Sequence, residues 1–102
     1  MRLYLSSFDL GDRPEELVAL TGSAKRAAII VNAGALTHYG WSLHDALATF
    51  DGIVVELHLS NPNAREPWRN VSVIAPVATG SIVGFRGHGY ALAVEAVARL
   101  LK

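Results

Sequence analysis

Residues 27 to 32 read AAIIVN, a near-continuous apolar run introduced by Lys25-Arg26. A strand with one wet face alternates apolar and polar residues; a run without alternation belongs to a strand covered on both faces, as in the centre of a parallel sheet. A second such run, Ile53-Val54-Val55, opens the segment Ile53 to Leu59. Between them Leu43, Ala46, Leu47 and Phe50 recur at i, i+3, i+4 and i+7, one face of a helix closed by Gly52. Strand, helix of crossover length, strand: the spacing predicts a parallel pair.

The rest of the chain extends that pattern. Arg2 to Phe8 reads as a first strand, short, apolar and aromatic. Asp12-Arg13-Pro14-Glu15-Glu16 offers a side-chain cap, a proline for the first turn and carboxylates where the helix dipole favours them, so a helix is predicted through Leu17, Val18 and Leu20 to about Gly22. Gly34 to Gly40 is a polar loop, and Asn61 to Asn70 a loop with one helical turn around Ala64 to Trp68. Val71 to Ala78 reads as extended, with Pro76 marking an edge or a turn, and Ser81 to Phe85 as a last short strand. Val94, Val97, Ala98 and Leu101 define a C-terminal amphipathic helix. The sum is an α/β fold, a single domain over residues 1–102, with a parallel sheet of about four strands and helices on both faces.

The formal net charge is zero, so nothing steers the chain toward nucleic acid or an anionic membrane surface, and neither is expected as a partner. The absence of cysteine removes disulfides, thiolate metal sites and cysteine nucleophiles together. No run approaches membrane-spanning length and the apolar N-terminal stretch is too short for a signal peptide; a cytoplasmic location is the expectation.

In parallel sheets ligands bind outside the carboxyl ends of the strands. Three polar clusters fall there: Ser6-Ser7, Asn32 to His38 and His58 to Arg69. His58 sits where a strand leaves the core, a place where an imidazole is either quietly hydrogen-bonded or put to use. The four histidines, His38, His44, His58 and His88, match no metal-ligand spacing. Gly84-Phe85-Arg86-Gly87-His88-Gly89 is a weak phosphate loop, better explained by the geometry of a strand-to-helix turn. Arg65 reads as a local salt-bridge or loop-anchoring residue, and Trp41 and Trp68 as packing residues or residues buried by a partner copy. No cofactor is expected.

From Asn32 onward several blocks keep a specific order and spacing: Asn32-Ala33-Gly34-Ala35-Leu36-Thr37-His38, Leu43-His44-Asp45-Ala46-Leu47, Glu56-Leu57-His58-Leu59-Ser60-Asn61, Ala64-Arg65-Glu66 with Arg69, and Pro76-Val77-Ala78-Thr79-Gly80 before Gly84. In these the chain resembles the C-terminal part of a type II 3-dehydroquinate dehydratase, a lyase of the shikimate pathway. The resemblance implies a three-layer flavodoxin-like sheet. The opening MRLYLSSFDLGDRPEELVALTG and the following KRAAIIVNA are similar instead to the N-terminal strand-helix-strand of peptidase E, an aspartyl dipeptidase. The expectation is therefore a recombinant or engineered chimera with its seam near residues 32–34.

The dehydratase resemblance implies roles. His58 is the acid that protonates the departing hydroxyl, with Glu56 as its electrostatic neighbour; an imidazole suits the task because it titrates near neutral pH. Leu59 and Ser60 match the backbone amide and hydroxyl that receive the substrate carboxylate. Arg69, Asn32 and His38 match groups that bind ring hydroxyls, Asn32 standing with Glu56 and His58 in the catalytic set. Asp45 corresponds to a residue that completes a neighbouring subunit's site in a trimer. The family's tyrosine base, its arginine lid and an asparagine belong to the segment that Ser6, Ser7, Asp9 and Arg13 occupy here. A chain so altered is expected to lack competent catalysis; the alternatives are residual 3-dehydroquinate dehydratase activity or binding of a small carboxylate ligand at the inherited rim. Self-association, as a dimer or trimer, is the partner expectation, since an uncovered sheet edge invites pairing.

Overall fold

The computed structural model describes residues 2–9, 14–21 and 27–101, with burial and side-chain contacts from Ala28 on. Five strands form one sheet in sequence order: β1 (Arg2–Asp9), β2 (Pro14–Thr21), β3 (Ala27–Asn32), β4 (Ile53–His58) and β5 (Gly80–Val83). Among the described residues two α-helices accompany them, α1 (Trp41–Ala48) and α2 (His88–Leu100). β3, β4 and β5 run parallel, with Ile30 opposite Val55 and Glu56 opposite Ser81.

β3 and β4 are covered on both faces, as their unbroken apolar runs require. Ala28 and Ile30 of β3 and Val55 and Leu57 of β4 pack against Ala93 and Val97 of α2. The alternate residues, Val31 and Val54, pack on the other side against Leu47 of α1 and against Val73 and Ile74 of the segment before β5. The result is the three-layer, flavodoxin-like arrangement expected from the sequence, with helices on opposite faces.

α1 follows a 3₁₀ turn over Gly34–His38, where the sequence suggested only a loop. The Gly40 N–H donates to Leu36 O at 2.6 Å, and a Cβ on Gly40 would stand 2.7 Å from that oxygen, so only glycine closes this turn. Thr49 ends α1, its hydroxyl donating to Ala46 O. In α2 Gly89, Ala93 and Val97 are buried at intervals of four, the stripe that meets β4.

The helix expected from Asp12 to about Gly22 is not formed. Pro14–Thr21 is a strand, antiparallel to β1 on one side and to β3 on the other; Asp12, Arg13 and Gly22 lie outside the described residues. The apolar stretch there is short, and a local helix preference yields when two neighbouring strands both satisfy the backbone. The sheet is therefore mixed, with an antiparallel hairpin beside the parallel strands. Val71 to Ala78 is likewise no strand: it is irregular, with a 3₁₀ turn over Ala75–Val77. Here Ser72 Oγ accepts the N–H groups of Ile74 and Ala75, which turns the chain instead of extending it. Asn61 to Asn70 contains two 3₁₀ turns, Pro62–Ala64 and Pro67–Asn70.

Candidate active site

Side chains alternate along β4. Val55 and Leu57 face α2, so Val54, Glu56 and His58 share the opposite face, that of α1. Glu56 is the one buried carboxylate among the residues from Ala28 on, at 4 % exposure. Its Oε2 accepts hydrogen bonds from Ser72 Oγ at 2.6 Å and His58 Nε2 at 2.8 Å, and its Oε1 accepts from Ser81 Oγ at 3.0 Å. Burial alone would raise the Glu56 pKa; the donors from His58, Ser72 and Ser81, with the imidazole's positive charge, outweigh it and hold the carboxyl below its ordinary value. Glu56 is thus a carboxylate. His58 then donates through Nε2–H, which leaves Nδ1 as the nitrogen available for proton exchange at the end of the strand.

Ser72 belongs to a short segment tied down along its length. His38 Nδ1 bonds Val71 O at 2.6 Å, His44 Nδ1 bonds Val73 O at 2.5 Å, and the Val73 N–H donates to Thr37 O at 2.7 Å. A carbonyl oxygen only accepts, so both rings carry their proton on Nδ1. The His38 ring also meets Trp68 edge-on, with centroids 5.2 Å apart.

Trp68 in turn supports Arg69, whose guanidinium carbon lies 4.1 Å above the indole. Arg69 Nε donates to Glu66 Oε2 at 2.9 Å, which together with the more distant Arg65 keeps the Glu66 carboxyl below its ordinary value. Arg65 approaches Glu66 Oε1 at 3.9 Å, the local ion pair its position suggested.

Of the residues singled out by sequence, Glu56 and His58 are in direct contact, and His38 and Arg69 are joined through Trp68. Leu59 and Ser60 follow His58 and are exposed; the Leu59 carbonyl accepts the Arg86 N–H at 2.8 Å, and the His58 carbonyl accepts that of Gly84 at 3.0 Å. Asn32 ends β3, its Oδ1 accepting the Gly34 N–H at 3.3 Å. Asp45 is exposed on α1, and no described residue forms an ion pair with it. Ser6 and Ser7 do not join the parallel rim directly, because β2 lies between β1 and β3: Ser7 pairs with Glu16, and Glu16 with Asn32.

Sequence reasoning did not reach Ser72, Ser81 or the supporting role of Trp68. Ser81 was findable in principle, since a parallel register that aligns β5 with β4 sets it opposite Glu56. Nothing in the spacing of Ser72 points to Glu56. Among the described residues no group of three or more metal-ligating side chains converges, and no helix is long and apolar enough to cross a membrane.

Fold and site together define a class: a flavodoxin-like α/β protein with a carboxylate–histidine pair at the carboxyl rim of its parallel strands. The model of the class II dehydroquinase family matches residues 11–98, and the chain belongs to that family. It is 60 % identical over 67 residues to a 3-dehydroquinate dehydratase of Roseiflexus castenholzii, covering 66 % of this chain and 43 % of that protein. With the dehydratase of Hyphomonas neptunium the identity is 49 % over 87 residues, covering 83 % of this chain and 59 % of the other. The crystal structure of a type II dehydroquinase from Butyrivibrio crossotus superposes with a TM-score of 0.69 at 39 % identity, over 74 % of this chain and 52 % of that one. The chain thus spans about half the length of the curated relatives it matches. The family likeness does not begin at the seam expected near 32–34: it enters at residue 11 and runs across that point. These matches lend the peptidase E resemblance and the idea of an engineered chimera no support.

Proposed function

We propose that the chain binds a dehydroquinate-like hydroxycarboxylate at this rim and retains 3-dehydroquinate dehydratase (lyase) chemistry there at a reduced rate. The observation that supports the reading is the contact between buried, ionised Glu56 and His58 at 2.8 Å. In the eliminating step, protonated His58 gives its Nδ1 proton to the departing hydroxyl as the carbon–oxygen bond breaks. Glu56 stabilises the imidazolium beforehand through Nε2–H and fixes the ring's orientation. The substrate carboxylate is received by the Leu59 amide and the Ser60 hydroxyl, and its ring hydroxyls by Arg69, His38 and Asn32. Asp45 completes the site of a second copy in a self-associated dimer or trimer.

The other half of the reaction, proton removal from carbon, depends in the family on a tyrosine with arginine beside it. No motif in this chain matches that pair, and lacking a positioned base typically costs ~10²–10⁴ in rate. Turnover is therefore slow rather than absent.

The test is a titration with 3-dehydroquinate followed by ultraviolet absorbance of the conjugated enone product. Slow product formation that His58→Ala abolishes is the expected result. Binding without turnover would support a second reading, a carboxylate-binding protein, which the antiparallel β2 beside β3 favours because it alters the sheet next to Asn32. No binding at millimolar dehydroquinate would refute both.

A further inference from the structure

We infer that Ser72 and Ser81 are positioning residues of this site: their hydroxyls lock Glu56 as an acceptor-only group and so dictate which nitrogen of His58 exchanges the proton. The inference deepens the dehydratase reading and rests on it for its catalytic consequence, though not for its structural one.

Ser72 has no freedom in the matter. Its oxygen accepts the N–H of Ile74 at 3.1 Å and of Ala75 at 2.9 Å, which occupies both lone pairs. The hydroxyl hydrogen is left for Glu56 Oε2, 2.6 Å away. That oxygen therefore faces two hydrogens, one from Ser72 and one from His58 Nε2, and has no room for a proton of its own. Ser81 differs. It stands on the edge strand β5 in register with Glu56, and among the described residues its hydroxyl bonds Glu56 Oε1 alone, as the donor. Ser72 thus sets the polarity and Ser81 reinforces it.

The segment around Ser72 makes the lock rigid. Val71 and Val73, its neighbours, are held by His38 and His44 through their carbonyls, and Val73 also by Thr37. The serine that polarises Glu56 is thereby fixed by residues of the 3₁₀ turn and of α1, remote in sequence from β4. The only titratable side chain bonded to Glu56 among the described residues is His58, so a change at either serine reaches His58 through Glu56 alone.

The experiment is nuclear magnetic resonance on the whole chain, reading the Glu56 carboxyl carbon and the His58 ring nitrogens across pH, for the parent and for Ser72→Ala, Ser81→Ala and Ser72→Thr. The parent is expected to show neutral His58 protonated on Nε2. Ser72→Ala raises the Glu56 midpoint and mixes the His58 tautomers; Ser81→Ala raises it less, and Ser72→Thr restores the parent behaviour. Where the parent turns over dehydroquinate, Ser81→Ala lowers kcat with little change in KM and moves the acid limb of its pH profile upward. Ser72→Ala also removes two backbone contacts; should it fail to fold, Ser81→Ala with its single contact decides the matter. Folded serine variants with an unchanged Glu56 midpoint and His58 tautomer would overturn the inference. A parent that never converts dehydroquinate would instead refute the proposed function and leave this resonance test standing.

Discussion

Gly89, at the head of α2, lies so close to Leu57 of β4 that a methyl group on it would stand 2.6 Å from Leu57 Cδ1. Leu57 is wholly buried, so either its side chain or the helix must shift within a packed core. Gly89→Ala is expected to destabilise the fold by about 1–3 kcal/mol despite the better helix propensity of alanine. Urea unfolding measures it; an unchanged midpoint would mean that α2 does not pack as tightly on β4 as described.

Thr37 poses the opposite case. It is 1 % exposed, its carbonyl accepts the Val73 N–H, and its hydroxyl has no partner among the described residues. Valine has the same shape without the hydroxyl. Removing an unpaired buried polar group is favourable, so Thr37→Val should stabilise by about 1 kcal/mol and raise Tm by a few degrees. A lowered Tm would show that the hydroxyl does find a partner.

The Glu56 carboxylate ties stability to acidity. Its pKa in the folded chain lies below the ordinary value of 4.5, so the carboxylate favours folding above that value, and the contribution is lost as pH falls through the folded-state pKa. Glu56→Gln, which cannot titrate, should be less stable than the parent at neutral pH, and the two should converge as pH drops below about 4.5. Denaturation curves from pH 7 to pH 3 check this; a gap independent of pH would assign the loss to packing alone.

Trp68 is half exposed, yet both the His38 ring and the Arg69 guanidinium rest on it. Trp68→Ala should leave the fold intact and loosen two proposed ligand contacts at once. A cation–π contact at an exposed site contributes about 0.5–1 kcal/mol, so dehydroquinate binding should weaken about two- to fivefold, measured by calorimetry. Unaltered affinity would remove Arg69 and His38 from the binding surface.

The legible parts of this fold were those where one physical demand dominates. Ala27 to Val31 and Ile53 to Val55 are apolar on both faces, and burial on both faces leaves a central parallel strand as the simplest solution. The stripes of α1 and α2 are equally plain, since Leu43 and Leu47, or Val94 and Val97, have only one way to share a surface. Pro14 to Thr21 was misread because its local signals, a proline and two glutamates ahead of a short apolar stretch, suit a helix start, while pairing with strands on both sides decided the outcome. The site divides in the same way. Glu56 and His58 are two apart on one strand and so face the same side, which spacing alone reveals. Ser72 reaches Glu56 by a turn whose course depends on its own hydrogen bonds, and Trp68 meets His38 across two loops; neither relation leaves a trace in a linear pattern.

The three histidines that line this region are chemically labelled by their surroundings. His38 and His44 spend Nδ1 on backbone carbonyls, whereas His58 spends Nε2 on a carboxylate. An electrophile that attacks only the unprotonated nitrogen of imidazole would modify the first two at one ring position and His58 at the other. The regiochemistry of the adduct, read by fragmentation of the modified peptides, would therefore single out the proposed proton donor without any substrate being present.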